Sequence, residues 1–198
     1  MMIMPGNNLS SICHYFAGRY PGQIGILNSP KYWTRPPVYF PWALDNGAFH
    51  HFDPDLFINT LHVAKTVHPP LWVAVPDVVC NPEETLRLWH FWWRKIDFPL
   101  AFVCQDGHEP QDVPKEAICC FIGGSTHWKI ENAYKFKSVR RLLHIGRVNT
   151  IRRLRWAKDI GADSVDGTGF FRAGPKHYYN LLSRRFEGDK ERNICSLF

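Results

Sequence analysis

From residue 23 onward, short apolar stretches that end in small or polar residues alternate with amphipathic stretches. The apolar stretches fall at residues 23–27, 41–44, 71–75, 100–104, 118–122, 142–145 and 164–165. Their near-continuous apolarity predicts strands buried on both faces. Residues 54–67 open on Asp53 followed by Pro54, and residues 82–95 open on Asn81 followed by Pro82. Both are helix starts, with a capping side chain and proline in the first turn, and Glu83 and Glu84 add charge that the helix dipole favours there. Residues 150–160 place Ile151, Leu154, Ala157 and Ile160 on one face before Gly161, and a closing helix is predicted over 176–185.

Strands alternating with helices predict parallel βα units. Seven or eight units in 198 residues leave roughly 25 residues each, against the ~250 residues of a full barrel. The expectation is an α/β chain folded as a reduced TIM-like (β/α)8 barrel, one domain over residues 1–198, with some helices shortened to loops. A doubly wound open sheet is the alternative, but no G-x-G-x-x-G turn follows the first of these strands.

Composition narrows the class. A chain 45% hydrophobic, 21% charged and 15% aromatic is neither disordered nor fibrous. Its apolar runs fall short of the ~18 residues of a membrane span, and its start lacks a basic region followed by an apolar one. The expectation is a soluble, cytoplasmic protein without a membrane partner, in the host cytoplasm if a phage encodes it. Six cysteines (Cys13, Cys80, Cys104, Cys119, Cys120, Cys195) form no C-x-x-C pair, which predicts reduced thiols and neither a disulfide framework nor a cysteine zinc site. His50, His51 and Asp53, or His108, could be set against a metal, but no second histidine cluster supports one. The net charge of +6 is uneven: residues 139–198 hold thirteen Lys and Arg against six Asp and Glu. A basic patch on one side suggests a polyanion, most often nucleic acid, with a solvated helix face as the plain alternative.

The residues that end the apolar runs are acids, amides and glycines: Asp45, Asp77, Gln105, Gly123 and Gly124, and Asp163 with Asp166. One such aspartate is often a helix cap or turn residue. Five strand ends of this kind suit a planar heterocycle with several donors and acceptors, such as a purine.

The ordered series Leu-Asp45-Asn-Gly-Ala-Phe49, Pro-Asp77, Cys-Gln105-Asp-Gly, Ile-Gly123-Gly124, His144-Ile-Gly146-Arg147 and Asp163-Ser-Val-Asp166 resembles that of the tRNA-guanine transglycosylases. It resembles more closely their phage and bacterial DNA-acting relatives, the DNA-guanine transglycosylases that exchange guanine for 7-deazaguanines. The resemblance spans residues 40–172. It implies that the nucleophile is Asp166, with its near neighbour Asp163 as the alternative, and that Asp45 is the general acid/base. It also implies that Asp77, Gln105, Gly123, Gly124, Gly146 and Phe49 surround the base. The proline that follows the family's nucleophile is absent here, and the zinc cluster of the tRNA enzymes has no counterpart.

The implied activity is that of a pentosyltransferase without cofactor or metal, exchanging guanine in DNA for a preQ0- or preQ1-type 7-deazaguanine through a covalent Asp–deoxyribose intermediate. A flipped nucleotide would stack on Phe49, Trp72, Phe170 or Phe171. Arg147, Arg152, Arg153, Arg172 and Lys176 would hold its phosphates. A homodimer or accessory DNA-opening proteins are compatible partners. Alternatives are tRNA modification, a hydrolytic nucleoside or DNA N-glycosidase, and a non-catalytic nucleic-acid-binding protein.

Overall fold

The structure, a computed structural model, describes residues 1–6, 10–169 and 174–186. Its strands are β1 (Met2–Met4), β2 (Ile26–Asn28), β3 (Trp42–Leu44), β4 (Val73–Ala74), β5 (Leu100–Cys104), β6 (Cys119–Ile122), β7 (Leu142–Ile145) and β8 (Ser164–Asp166). Each strand from β2 to β8 pairs in parallel with the next, and β8 pairs in parallel with β1. The remaining seam is bridged where Ile3 meets Ile24. There Ile3 N donates to the Gln23 carbonyl and Gly25 N donates to the Ile3 carbonyl, each at 2.9 Å. The fold is a reduced (β/α)8 TIM-like barrel.

Among the described residues, six α-helices flank it: α1 (Ser11–Arg19), α2 (Pro54–Ala64), α3 (Pro82–Trp92), α4 (Thr126–Asn132), α5 (Ile151–Asp159) and α6 (Pro175–Phe186). The predicted caps form, since Asp53 accepts from Leu56 N at 3.0 Å and Asn81 from Glu84 N at 3.1 Å. Ser125 and Thr150 cap α4 and α5 in the same way. After β2 and β5 the chain makes only 3-10 turns, Pro30–Tyr32 and Pro110–Asp112, which is the expected shortening. Three elements lay outside the sequence reading: β1, α1 and α4. β1 is three residues long and carries two methionines, α4 has seven residues, and α1 has a weakly divided polar face in which Tyr15 is exposed.

Alternation along the strands divides the core in two. Outward side chains such as Ile3, Trp42, Val73, Phe102, Ile122 and Val165 pack beneath the helices. Inward side chains form a separate cluster in which Trp72 and Phe121 fill the space left by Ala43, Ala74 and Ala101. Large residues opposite small ones let a narrow parallel barrel fill its own interior. Cys13, Cys104, Cys119 and Cys120 are buried thiols and Cys80 is exposed; Cys195 lies outside the described residues. No helix among the described residues is long and apolar enough to cross a membrane.

The closing seam is tight. A Cβ on Gly25 would lie 2.6 Å from Met2 Sδ and 2.8 Å from the Pro41 carbonyl oxygen, whereas one on Gly18, in α1, would meet nothing within 4 Å. Gly25→Ala should therefore lower stability by about 1–3 kcal/mol through overpacking. Gly18→Ala should raise it by about 0.5–1 kcal/mol through helix propensity. Urea unfolding of both variants checks the pair, and a neutral Gly25→Ala would contradict the tight seam.

Candidate active site at the mouth of the barrel

The alternation that sends Ala43, Val103, Phe121, His144 and Ser164 inward carries on for one more step at the strand ends. Asp45, Gln105, Gly123, Gly146 and Asp166 each lie two residues beyond one of these positions. The period of two therefore turns them into the lumen at its C-terminal end. Asp77 reaches the same place from the loop after β4, where Asn46 Nδ2 donates to its Oδ1 at 2.7 Å and Gln105 Nε2 donates to its Oδ2 at 2.6 Å.

Three carboxylates thus share the mouth. Asp45 is pushed up to about 7 by burial first and then by the negative charges of Asp77 and Asp166, against hydrogen bonds from the Asn46 and Gly47 backbone. Burial pushes Asp77 up to about 6, and the Asn46 and Gln105 amides moderate the rise. Gln105 is fixed on every side. Its Oε1 accepts from Cys80 N at 2.9 Å and Gly124 N at 3.0 Å, and its own backbone N–H donates to His108 Nδ1 at 2.8 Å. Because that nitrogen accepts, Nε2 of His108 carries the proton and faces the Pro82 carbonyl at 3.1 Å. Gly124, at φ +57°, sits where a Cβ would collide with Asp106 Oδ1. A Cβ on Gly123 would lie 2.8 Å from both Gln105 Nε2 and Val103 Cγ1.

Asp166 has a different environment. Its Oδ1 accepts from Arg147 N at 3.1 Å and lies 3.1 Å from His144 Nε2, while His144 Nδ1 is 2.8 Å from Ser164 Oγ. His144 has no exposed surface and packs against the Trp72 and Phe121 rings at 4.8 and 4.5 Å. With Nε2–H on the carboxylate, Nδ1 accepts from the Ser164 hydroxyl. Oδ2 of Asp166 has no hydrogen-bond partner among the described residues. Asp163 lies at the other end of β8. There it accepts from Leu143 N at 2.8 Å and sits 3.8 Å from Lys137 Nζ. In the cleft of about 480 Å³ beside it, lined by Lys137, Arg140 and Arg141, the first two cations are engaged by the chain. Lys137 donates to the Gly161 carbonyl and Arg140 to those of Pro114, Val139 and Val113.

At the rim, Arg147 adopts the left-handed φ of +59°. Its guanidinium donates to the Gly124 carbonyl and stacks 4.7 Å from the Phe49 ring. Phe49 is 54% exposed, which suits it to stacking. Trp72, expected as a stacking platform, is instead fully buried; as an inward residue it forms the floor of the lumen. Arg152 and Arg153 occupy the first turn of α5 and Lys176 the first turn of α6, the ends of those helices that follow the mouth. Arg172, Phe170 and Phe171 lie outside the described residues. Asn46 and His144 contact the carboxylates directly, yet the sequence reading gave them no role. The signal for His144 was present: a lone polar residue in the apolar run of β7, two residues before Gly146.

No protein-family model and no curated protein matches the chain. The described residues hold no group of three or more His, Cys, Asp or Glu arranged to bind a metal ion.

The raised Asp45 has a measurable consequence. Between the ordinary carboxylate range and about 7 the folded state binds a proton there that the unfolded state does not, so this group lowers stability as pH rises through that window. Asp45→Asn should unfold at a higher temperature than wild type at pH ~8, by a few degrees given ~2–4 °C per kcal/mol at this size. The gain should shrink toward pH ~4 and fade near pH ~3, where Asp45 is largely protonated in both states. Thermal melts across that range check it, and an equal gain at both ends would contradict the charge crowding.

Proposed function

We propose that the chain is a pentosyltransferase that exchanges guanine in DNA for a 7-deazaguanine base. One observation carries this reading. Two carboxylates in the same mouth have opposite settings: Asp45 is held toward its acid form by burial and by its neighbours' charge, and Asp166 accepts hydrogen bonds on one oxygen from His144 and Arg147 N. Two carboxylates in such different surroundings suit the separate roles of acid/base partner and nucleophile.

Asp166 Oδ2 attacks C1′ of the deoxyribose while the bond from C1′ to guanine N9 breaks, and its electron pair leaves with the base. Asp45 delivers a proton to the departing guanine and becomes a carboxylate. That carboxylate removes the proton from N9 of the incoming 7-deazaguanine. N9 then attacks C1′, frees Asp166 and leaves Asp45 protonated as at the start. Two displacements retain configuration at the sugar. At neutral pH an ionised Asp77 only accepts hydrogen bonds, which matches the N1–H and amino donors of a guanine edge and not the N1 acceptor of adenine.

Helix ends support a polyanionic partner. The first turns of α2 and α3 contain Asp55, Glu83 and Glu84, whereas those of α4, α5 and α6 contain no acid. Arg152 and Arg153 stand where the helix dipole disfavours cations. A phosphate at that side of the mouth would be met by the two arginines and by the helix N-terminus together.

The decisive experiment incubates the protein with guanine-containing DNA and labelled preQ0 or preQ1. Label should enter DNA, Asp166→Asn should abolish the covalent protein–DNA adduct with DNA affinity retained, and Asp45→Asn should slow adduct formation by roughly 10²–10⁴-fold. Base released without label uptake would make the enzyme a hydrolase, label entering only tRNA would move the substrate, and exchange surviving Asp166→Asn would overturn the mechanism. Separately, Arg152→Ala should reduce the slope of log affinity against log salt by ~1 for DNA of any sequence; an unchanged slope would remove α5 from the DNA interface.

A further inference from the structure

Lys129, on α4, is only 4% exposed, and no step above uses it. Its Nζ donates to the Gly146 carbonyl oxygen at 2.6 Å. The other side of that same peptide group is the Arg147 N–H, which donates to Asp166 Oδ1 at 3.1 Å. A cation on the carbonyl oxygen draws electron density from the peptide nitrogen and makes the N–H opposite a stronger donor. The loop is also compressed at this point, because a Cβ on Gly146 would lie 2.7 Å from the Phe121 ring and 3.3 Å from Asp166 Oδ1. Burying an ammonium with a single acceptor is costly. An apolar side chain would fill the space between α4 and β7 without that cost, so packing alone does not account for a lysine here.

We propose that Lys129 is a positioning residue for Asp166, acting through the Gly146–Arg147 peptide group to hold the carboxylate in place and stabilise it as the attacking group. The catalytic consequence rests on the role given to Asp166 above; the linkage between the two side chains does not. Charged groups reach Lys129 from each neighbouring segment: Arg147 and Arg153 after β7, Asp166 at the end of β8, and Asp106 after β5. Burial, followed by the Arg147 charge, brings Lys129 down to about 7 against the opposing pull of Asp166 and Asp106. The ammonium discharges near neutrality, and above that the Arg147 N–H returns to an ordinary donor.

The test follows the Arg147 amide proton by NMR in the whole protein, from about pH 5 to about pH 9, in wild type, Lys129→Met and Lys129→Arg. Wild type should show the resonance downfield at low pH and moving upfield in a step near neutrality. In Lys129→Met it should lie upfield throughout, with no such step. Lys129→Arg keeps a cation that does not titrate in this range, so the resonance should stay downfield without the step, and this variant decides the matter if Lys129→Met does not fold. A step of undiminished size in either variant overturns the linkage; the smaller shift from Asp45, raised to about 7 beside Asp166, is common to all three proteins. Adduct formation with DNA should slow about 10- to 100-fold in Lys129→Met at unchanged DNA affinity. An unchanged rate would also overturn the proposed positioning. If wild type forms no adduct at all, the transglycosylase reading fails while the amide titration still decides the linkage.

Discussion

A short parallel strand inside a closed barrel has no polar face. Its outward side chains meet the helices, and its inward ones must fill a lumen too narrow for water. In this chain the inward positions satisfy that demand with Trp72 and Phe121 set against Ala43, Ala74 and Ala101. The same alternation dictates where polarity can enter. The inward position that opens on the mouth is the one at or just past the strand end, which is where Asp45, Gln105, Gly123, Gly146 and Asp166 stand. The site therefore inherits its convergence from the packing rule, and its floor from the Trp72 and Phe121 rings that hold His144 between them.

Convergence creates an electrostatic problem that the local contacts resolve unevenly. Asp77 has an amide on each oxygen, and Asp166 has donors from His144 and Arg147 N. Asp45 has only nearby backbone N–H groups and bears the charge of both neighbours. Like charges in a partly desolvated space cannot all stay ionised. Burial and the charges of both neighbours push Asp45, the least supported of the three, toward its acid form. Crowding of this kind lowers stability, as functional sites often do.

The parts that were legible in the sequence depend on local chemistry. Asp53-Pro54 and Asn81-Pro82 start helices whatever surrounds them, and the strands from β2 to β8 announce themselves as apolar runs between breaks. The strand-end residues were legible for the same reason, because parity needs no partner. β1 escaped because three residues give no periodicity and its pairing partner, β8, lies at the far end of the chain. His144 and Lys129 escaped for a related reason. His144 meets Ser164 only through the register of β7 against β8, and Lys129 meets Gly146 across a helix–strand contact. Trp72 was misplaced because hydrophobicity does not distinguish a floor from a wall; the small residues facing it decide that, and they sit on other strands.

Charge at the rim follows from strand order as well. β6, β7 and β8 are neighbours in the sheet, so the helices that follow them begin side by side around one sector of the mouth. All three lack an acid in the first turn, although an acid there is the cheapest way to stabilise a helix start. Arg152 and Arg153 oppose the dipole of α5, and Thr150 has to satisfy the exposed backbone by capping alone. Helix stability does not explain this arrangement. A sector of positive potential at the rim beside Asp166 is what the proposed phosphate-bearing substrate would require.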